Sequence, residues 1–98
     1  MQTVIETPTF TKQVDKIWSE DERLSFIDYI VQNPTAGDVI PNTDGARKVR
    51  WTVKGSGKRG GVRVVYFNQD AEGSIHLISI YQKSDKANIT GKEIKQAI

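Results

Sequence analysis

Seven basic residues, Arg47, Lys48, Arg50, Lys54, Lys58, Arg59 and Arg63, fall within positions 46–63, and no acid interrupts them. They are half of the 14 lysines and arginines, so this segment carries +7 in a chain whose net charge is only +2. A surface charged for solubility mixes its signs, whereas a run of one sign implies a polyanionic partner. Cysteine is absent and His76 is the single histidine. Disulfides, thiolate zinc sites, cysteine nucleophiles and multi-histidine metal motifs are therefore excluded. Any chemistry here must run on lysine, arginine, tyrosine and carboxylates, with no metal and no cofactor called for.

Glycines punctuate the same segment. Gly55-Ser56-Gly57-Lys58-Arg59-Gly60 matches G-x-G-x-x-G letter for letter. That motif binds dinucleotides only where it leaves a strand and opens a helix whose N-terminus meets the pyrophosphate. Here a β-run follows, so the dinucleotide reading fails. The P-loop pattern of nucleoside-triphosphate-binding proteins fails too, because Gly57-Lys58 is followed by Arg59 rather than serine or threonine. A two-residue turn would have sufficed to join two strands. A longer glycine loop bearing two cations reads instead as a phosphate clamp able to follow a flexible nucleic-acid strand.

The elements that must position these residues are legible from period and punctuation. Val4-Ile5 reads as a short first strand, stopped by Thr7-Pro8. Thr7 is placed to cap a helix with Pro8 at its first position, and Phe10, Val14, Ile17 and Trp18 recur at helical spacing. Ser19-Glu20-Asp21-Glu22 is a capping box opening a second helix. The expected core face of that helix is Leu24, Ile27, Ile30 and Val31, widened by Phe26 and Tyr29, and Asn33-Pro34 ends it. Two prolines, two glycines and two aspartates make 34–45 a loop closing on the Asp44-Gly45 turn. From Ala46 the period becomes two, with Val49, Trp51 and Val53 on one side and Lys48, Arg50, Thr52 and Lys54 on the other. Val62 to Phe67 is apolar on both faces, as a central strand is. A hairpin connection at 68–73 leads to a strand from Ile75 to Tyr81. Thr90-Gly91-Lys92-Glu93 then opens a short final helix. The expected fold is α+β: strand, helix, helix, three meandering antiparallel strands and a short C-terminal helix, with two helices packed on one face of a small sheet.

At 98 residues, 37% hydrophobic and 27% charged, the chain is expected to be one soluble domain spanning 1–98. Folding should remove roughly 60–65% of the unfolded surface from water. No apolar run approaches the ~18 residues of a membrane span, and the first ten residues lack the regions of a signal peptide. A cytoplasmic location with no membrane partner is the expectation.

Three runs of residues also resemble a known family. Gly45-Ala46-Arg47-Lys48-Val49-Arg50, then Lys54-Gly55-Ser56-Gly57-Lys58-Arg59-Gly60-Gly61-Val62-Arg63-Val64-Val65-Tyr66, and finally Ile78-Ser79-Ile80-Tyr81-Gln82-Lys83 resemble the HigB branch of the RelE superfamily of type II toxin–antitoxin toxins. Asn33-Pro34 with Gly37-Asp38-Val39-Ile40 fits the same pattern, and the match covers roughly residues 3 to 90. The resemblance implies the RelE-like fold and a ribosome-dependent mRNA endoribonuclease that cuts the codon exposed in the A site and so inhibits translation. It also implies a cognate antitoxin, usually a helix-turn-helix protein. By the same resemblance Lys54, Arg63 and Lys83 are the catalytic positions, and Tyr66 falls in the family's Arg-x-x-Tyr pattern. Two departures stand out. Ser84 follows Lys83 where many members have arginine, and no tyrosine follows Tyr81 where some members carry a catalytic one.

The residue types agree with that chemistry. Metal-free RNA cleavage needs a base for the ribose 2′-hydroxyl, positive charge for the phosphorane and an acid for the leaving oxygen. Arg63 suits the second task, because a guanidinium stays charged and presents a planar fork to phosphate. Lys54 is the expected base, since crowding by cations lowers a lysine pKa, and Lys83 is expected to steady the phosphate or supply the proton. Arg47, Lys48, Arg50, Lys58, Arg59 and Tyr66 are the expected RNA contacts, with a core role for Tyr66 at least as strong. His76 alternates with Ile75 and Leu77 and reads as a packed or edge histidine rather than a base. Trp18 and Trp51 read as core, with base stacking the minor reading for Trp51. Two other functions share these features: inhibition of DNA gyrase without catalysis, as in the ParE branch of the same fold, and RNA binding without cleavage.

Overall fold

A computed structural model of the protein describes residues 3–41, 43, 45–51, 61–69, 73–82 and 94. Strand β1 (Thr3–Glu6) leads into helix α1 (Pro8–Val14) and helix α2 (Glu20–Gln32). Four further strands follow, β2 (Asp38–Val39), β3 (Arg47–Trp51), β4 (Val62–Gln69) and β5 (Ser74–Gln82). The sheet order is β1-β5-β4-β3-β2, so β4 is the central strand that its two-sided apolar run demanded. β1 runs parallel to β5, and the other neighbours are antiparallel.

Local signals set the helix ends as the sequence implies. Thr7 Oγ1 accepts from the Phe10 amide, with Pro8 in the first turn where its missing N–H costs nothing. Ser19 and Glu22 form both halves of the capping box, and Glu20, Asp21 and Glu22 sit in the first turn, where acids complement the helix dipole. Glu6 accepts from Arg23 through both carboxylate oxygens, tying β1 to α2. A bidentate guanidinium–carboxylate pair of this kind fixes orientation as well as distance.

Three expectations are corrected. The stripe Phe10, Val14, Ile17, Trp18 is not one helix. α1 stops at Val14, and a turn in which the Trp18 amide bonds Val14 O at 2.9 Å carries Trp18 into the core. Leu24 does not belong to the α2 core face, for it is 54% exposed while Phe26 and Ile30 are fully buried. Two residues are about 200° around a helix, so Leu24 and Phe26 cannot share a face. The segment expected as pure loop contains β2, which pairs Asp38 with Lys48 and Val39 with Arg47 at the sheet edge.

The sheet has an apolar cluster on each side. On the helix side Phe10, Val14, Trp18, Phe26 and Ile30 pack on Val49, Val62, Val64, Tyr66, Ile75, Leu77 and Ile80. Trp51 joins them, its ring 5.4 Å from Phe26 in an edge-on contact and 4.9 Å from Tyr29, so both tryptophans lie with the core as expected. The far side carries a smaller cluster, Ala46, Val65, Ile78, Tyr81 and Ile94, with Ile40 and Phe67 packed against it. Ile94, the described residue of the expected last helix, is helical and 1% exposed. The expected cap at Thr90 lies outside the described residues.

Candidate RNA-binding face

Alternation along β3 and β4 sorts the basic residues. Val49 and Trp51 face the helices, so Lys48 and Arg50 face away from them. Val62, Val64 and Tyr66 face the helices, so Arg63 shares the far face with Val65. The register then sets Arg50 directly opposite Arg63 and Lys48 directly opposite Val65. Across the next strand pair Tyr81 stands directly opposite Arg63. Arg50, Arg63 and Tyr81 thus form one row across three strands on the far face.

Residues directly opposite in an antiparallel pair hold their Cβ atoms about 4.5–5.5 Å apart, and like charges so placed destabilise the sheet. Arg50 and Arg63 occupy such a pair of positions. Arg50 is exposed, while Arg63 is only 7% exposed. An anion lying across both guanidinium groups would use the planar fork of each.

Arg47 and Tyr66 lie elsewhere. Arg47 has the opposite parity from Lys48, and its Nη1 donates to Thr35 O at 3.0 Å and Gly37 O at 3.4 Å. Tyr66, directly opposite Arg47, is fully buried and donates its hydroxyl to Ala36 O at 2.6 Å, with Pro34 O at 3.3 Å. Asn68 Nδ2 also donates to Pro34 O, at 2.8 Å. Four consecutive carbonyls, 34 to 37, are therefore gripped by β3 and β4 side chains. Gly37 makes this approach possible. Its φ is +81°, and a Cβ there would stand 2.8 Å from the Lys48 carbonyl carbon and 2.9 Å from Val49 Cα. Burial pushes the Tyr66 hydroxyl up to about 12, with Arg47 pulling the other way. Of the two roles read for Tyr66, the fold places the ring in the core, where it offers RNA no accessible atom. Arg47 is a brace for the 34–37 loop.

Lys54, Lys58, Arg59 and Lys83 lie outside the described residues. Gly61, which ends that stretch, has φ +67°, a left-handed turn that glycine adopts without steric cost as the chain enters β4. His76 sits on the far face between Ile5 and Phe67 in register and is partly buried, in keeping with a packed histidine. Among the described residues no cluster of histidine and acidic side chains could hold a metal ion, and no helix is long and apolar enough to cross a membrane.

A helix pair on one face of a mixed five-stranded sheet, with the first strand inserted parallel beside the last, defines the class of fold. No family model matches the sequence. Among solved structures the fold is similar to that of a mutant of the E. coli toxin RelE in the free state, with a TM-score of 0.65 at 14% identity, covering 98% of this chain and 92% of that one. The chain has the RelE-like fold.

Proposed function

We propose that this chain is a toxin of the RelE superfamily, of the HigB-like branch, acting as a metal-independent, ribosome-dependent mRNA endoribonuclease. The observation that carries the reading is the row on the far face, where Arg50 and Arg63 stand directly opposite one another with Lys48 one pleat away. Two arginines in directly opposed register on one face, with a lysine beside them, suit a phosphate partner, and the RelE-like fold supplies the context. Arg63 takes the role of electrostatic stabiliser of the phosphorane, with Lys54 as base and Lys83 as phosphate contact or acid. Lys48, Arg50, Lys58 and Arg59 grip the strand. The partners are mRNA in the ribosomal A site and an antitoxin encoded beside the toxin.

Translating ribosomes incubated with the protein, followed by mapping of mRNA 5′ ends, test the reading. Cuts within A-site codons are expected from the wild-type protein and none from Arg63→Ala, with both proteins folded. Arrest of translation without cuts would sink the nuclease, and inhibition of supercoiling by DNA gyrase would favour the ParE-like alternative.

A further inference from the structure

A strand with a strict two-residue period cannot send residues three apart to the same side. β5 does so twice. Leu77 and Ile80 both join the helix-side cluster, and Ile78 and Tyr81 both join the far cluster. The cause is an extra residue. Tyr66 pairs with Leu77 while Val65 pairs with Ser79, leaving Ile78 without a counterpart on β4. Such a bulge disrupts the ladder locally and re-aims every side chain beyond it.

The bulge is held from outside the sheet by two residues that carry no charge. Thr7, where β1 hands over to α1, donates its amide to Leu77 O at 3.1 Å. The Thr7 hydroxyl proton lies between Leu77 O at 2.9 Å and Ile78 O at 3.1 Å. Gln13, in the last turn of α1, accepts through a single Oε1 from Ser79 Oγ at 3.0 Å and from the Ile80 amide at 2.9 Å. All four residues spanning the bulge are thus fastened to α1 and its cap, Leu77 and Ile78 by Thr7 and Ser79 and Ile80 by Gln13. Were the alternation of Ile75 and Leu77 to continue unbroken, Tyr81 would turn under the helices and Ile80 would take its place beside Arg63.

We propose that Gln13, with Thr7, is a positioning residue for the basic face: by holding the Ile78 bulge it keeps Tyr81 across from Arg63, and Tyr81 confines the Arg63 guanidinium where phosphate is met. The inference rests on the proposed RNA cleavage. Its geometry is open to test without that activity.

The full-length protein is compared with Gln13→Ala, which removes the acceptor, and Gln13→Glu, which keeps an oxygen in reach of both donors. Two readouts are taken. One is the nuclear Overhauser contact between the Tyr81 ring and the Arg63 side chain. The other is single-turnover cleavage of ribosome-bound mRNA, measured as a function of protein concentration. Gln13→Ala should weaken the Tyr81–Arg63 contact and lower the saturating cleavage rate by about tenfold to a hundredfold, the scale of a 1 Å misplacement. The half-saturating concentration should stay nearly unchanged, because the gripping cations are untouched. Gln13→Glu should recover both contact and rate, which a general loss of stability would not predict. A Gln13→Ala protein with contact and rate intact overturns the proposal, and so does a Gln13→Glu protein as impaired as Gln13→Ala. If Gln13→Ala does not fold, Ser79→Ala, which removes one of the two donors to Gln13, must shift both readouts the same way by less, and no shift overturns the proposal. If the wild-type protein cuts no RNA, the proposed function fails, and the Tyr81–Arg63 contact alone then decides whether Gln13 sets the register.

Discussion

Tyr66→Phe removes one hydroxyl from a fully packed ring, and the structure says what that should cost. No cavity opens, since the ring remains. Pro34 O keeps its bond from Asn68 Nδ2, so the Ala36 carbonyl alone loses its donor. A buried polar group left without its partner costs about 1–3 kcal/mol. Ala36 is only partly buried, which puts the expected loss at about 1–2 kcal/mol. With urea slopes of about 1–3 kcal/mol/M for small proteins, the midpoint should fall by roughly 0.3–2 M. The pH dependence gives a second handle on the same hydroxyl. Its pKa is raised from the ordinary 10.0 to about 12, chiefly by burial. Below pH 10 the folded and unfolded chains both hold the proton, and the bond contributes in full. Between pH 10 and 12 the unfolded chain releases its proton first, so the contribution is lost as pH rises through that window. Urea unfolding followed by tryptophan fluorescence at pH 8 and pH 11 should therefore show a wild-type advantage that narrows at the higher pH. A Tyr66→Phe protein with the wild-type midpoint at pH 8, or with the same deficit at both pH values, would refute the reasoning.

Three further outcomes are expected. Gly37→Ala should cost more than about 2 kcal/mol, read as a fall in melting temperature by circular dichroism, because a left-handed residue and the Lys48 backbone both oppose a Cβ there. Ser19→Ala should cost about 1 kcal/mol through loss of the cap, or roughly 4–8 °C in melting temperature, while Ser19→Asp stays close to wild type. Arg50→Ala should leave stability unchanged or slightly raised, since it removes a like-charge neighbour from Arg63. In the same variant the salt dependence of affinity for a single-stranded RNA, followed by fluorescence anisotropy, should flatten by about 0.7 in the log–log slope.

Much of this fold is written in local patterns, and what is local was legible. The caps at Thr7 and Ser19 depend on residues three apart in sequence, and they form as read. The central place of β4 follows from an apolar run that only a doubly covered strand tolerates. Period two in β3 put Lys48 and Arg50 on one face. The same rule, extended to Arg47, would have set it apart from them. Its brace on Thr35 and Gly37 depends on contacts ten or more residues away that no local pattern reveals. Leu24 was misread because Leu24, Ile27 and Val31 make an acceptable helical stripe of their own, and only the docking of Phe26 between Trp18 and Trp51 decides which stripe faces inward. The bulge in β5 was invisible for a related reason. Ile78-Ser79-Ile80 reads as ordinary alternation, and the partners that interrupt it, Thr7 and Gln13, lie more than 60 residues earlier.

The parallel pairing of β1 with β5 joins residues 3–6 to residues 74–77, nearly the two ends of the described chain. During synthesis the helices leave the ribosome first, but the surface they cover is made of β3, β4 and β5, which follow them. Until those strands are made, the apolar helix pair has no sheet to pack on. Glu6 and Arg23 can meet early, since 17 residues separate them, whereas the bonds of Thr7 and Gln13 to β5 must wait for the last strand. Folding here is a closing event rather than a progressive one, and its rate should be governed by the loop closure that brings the first strand back beside the last.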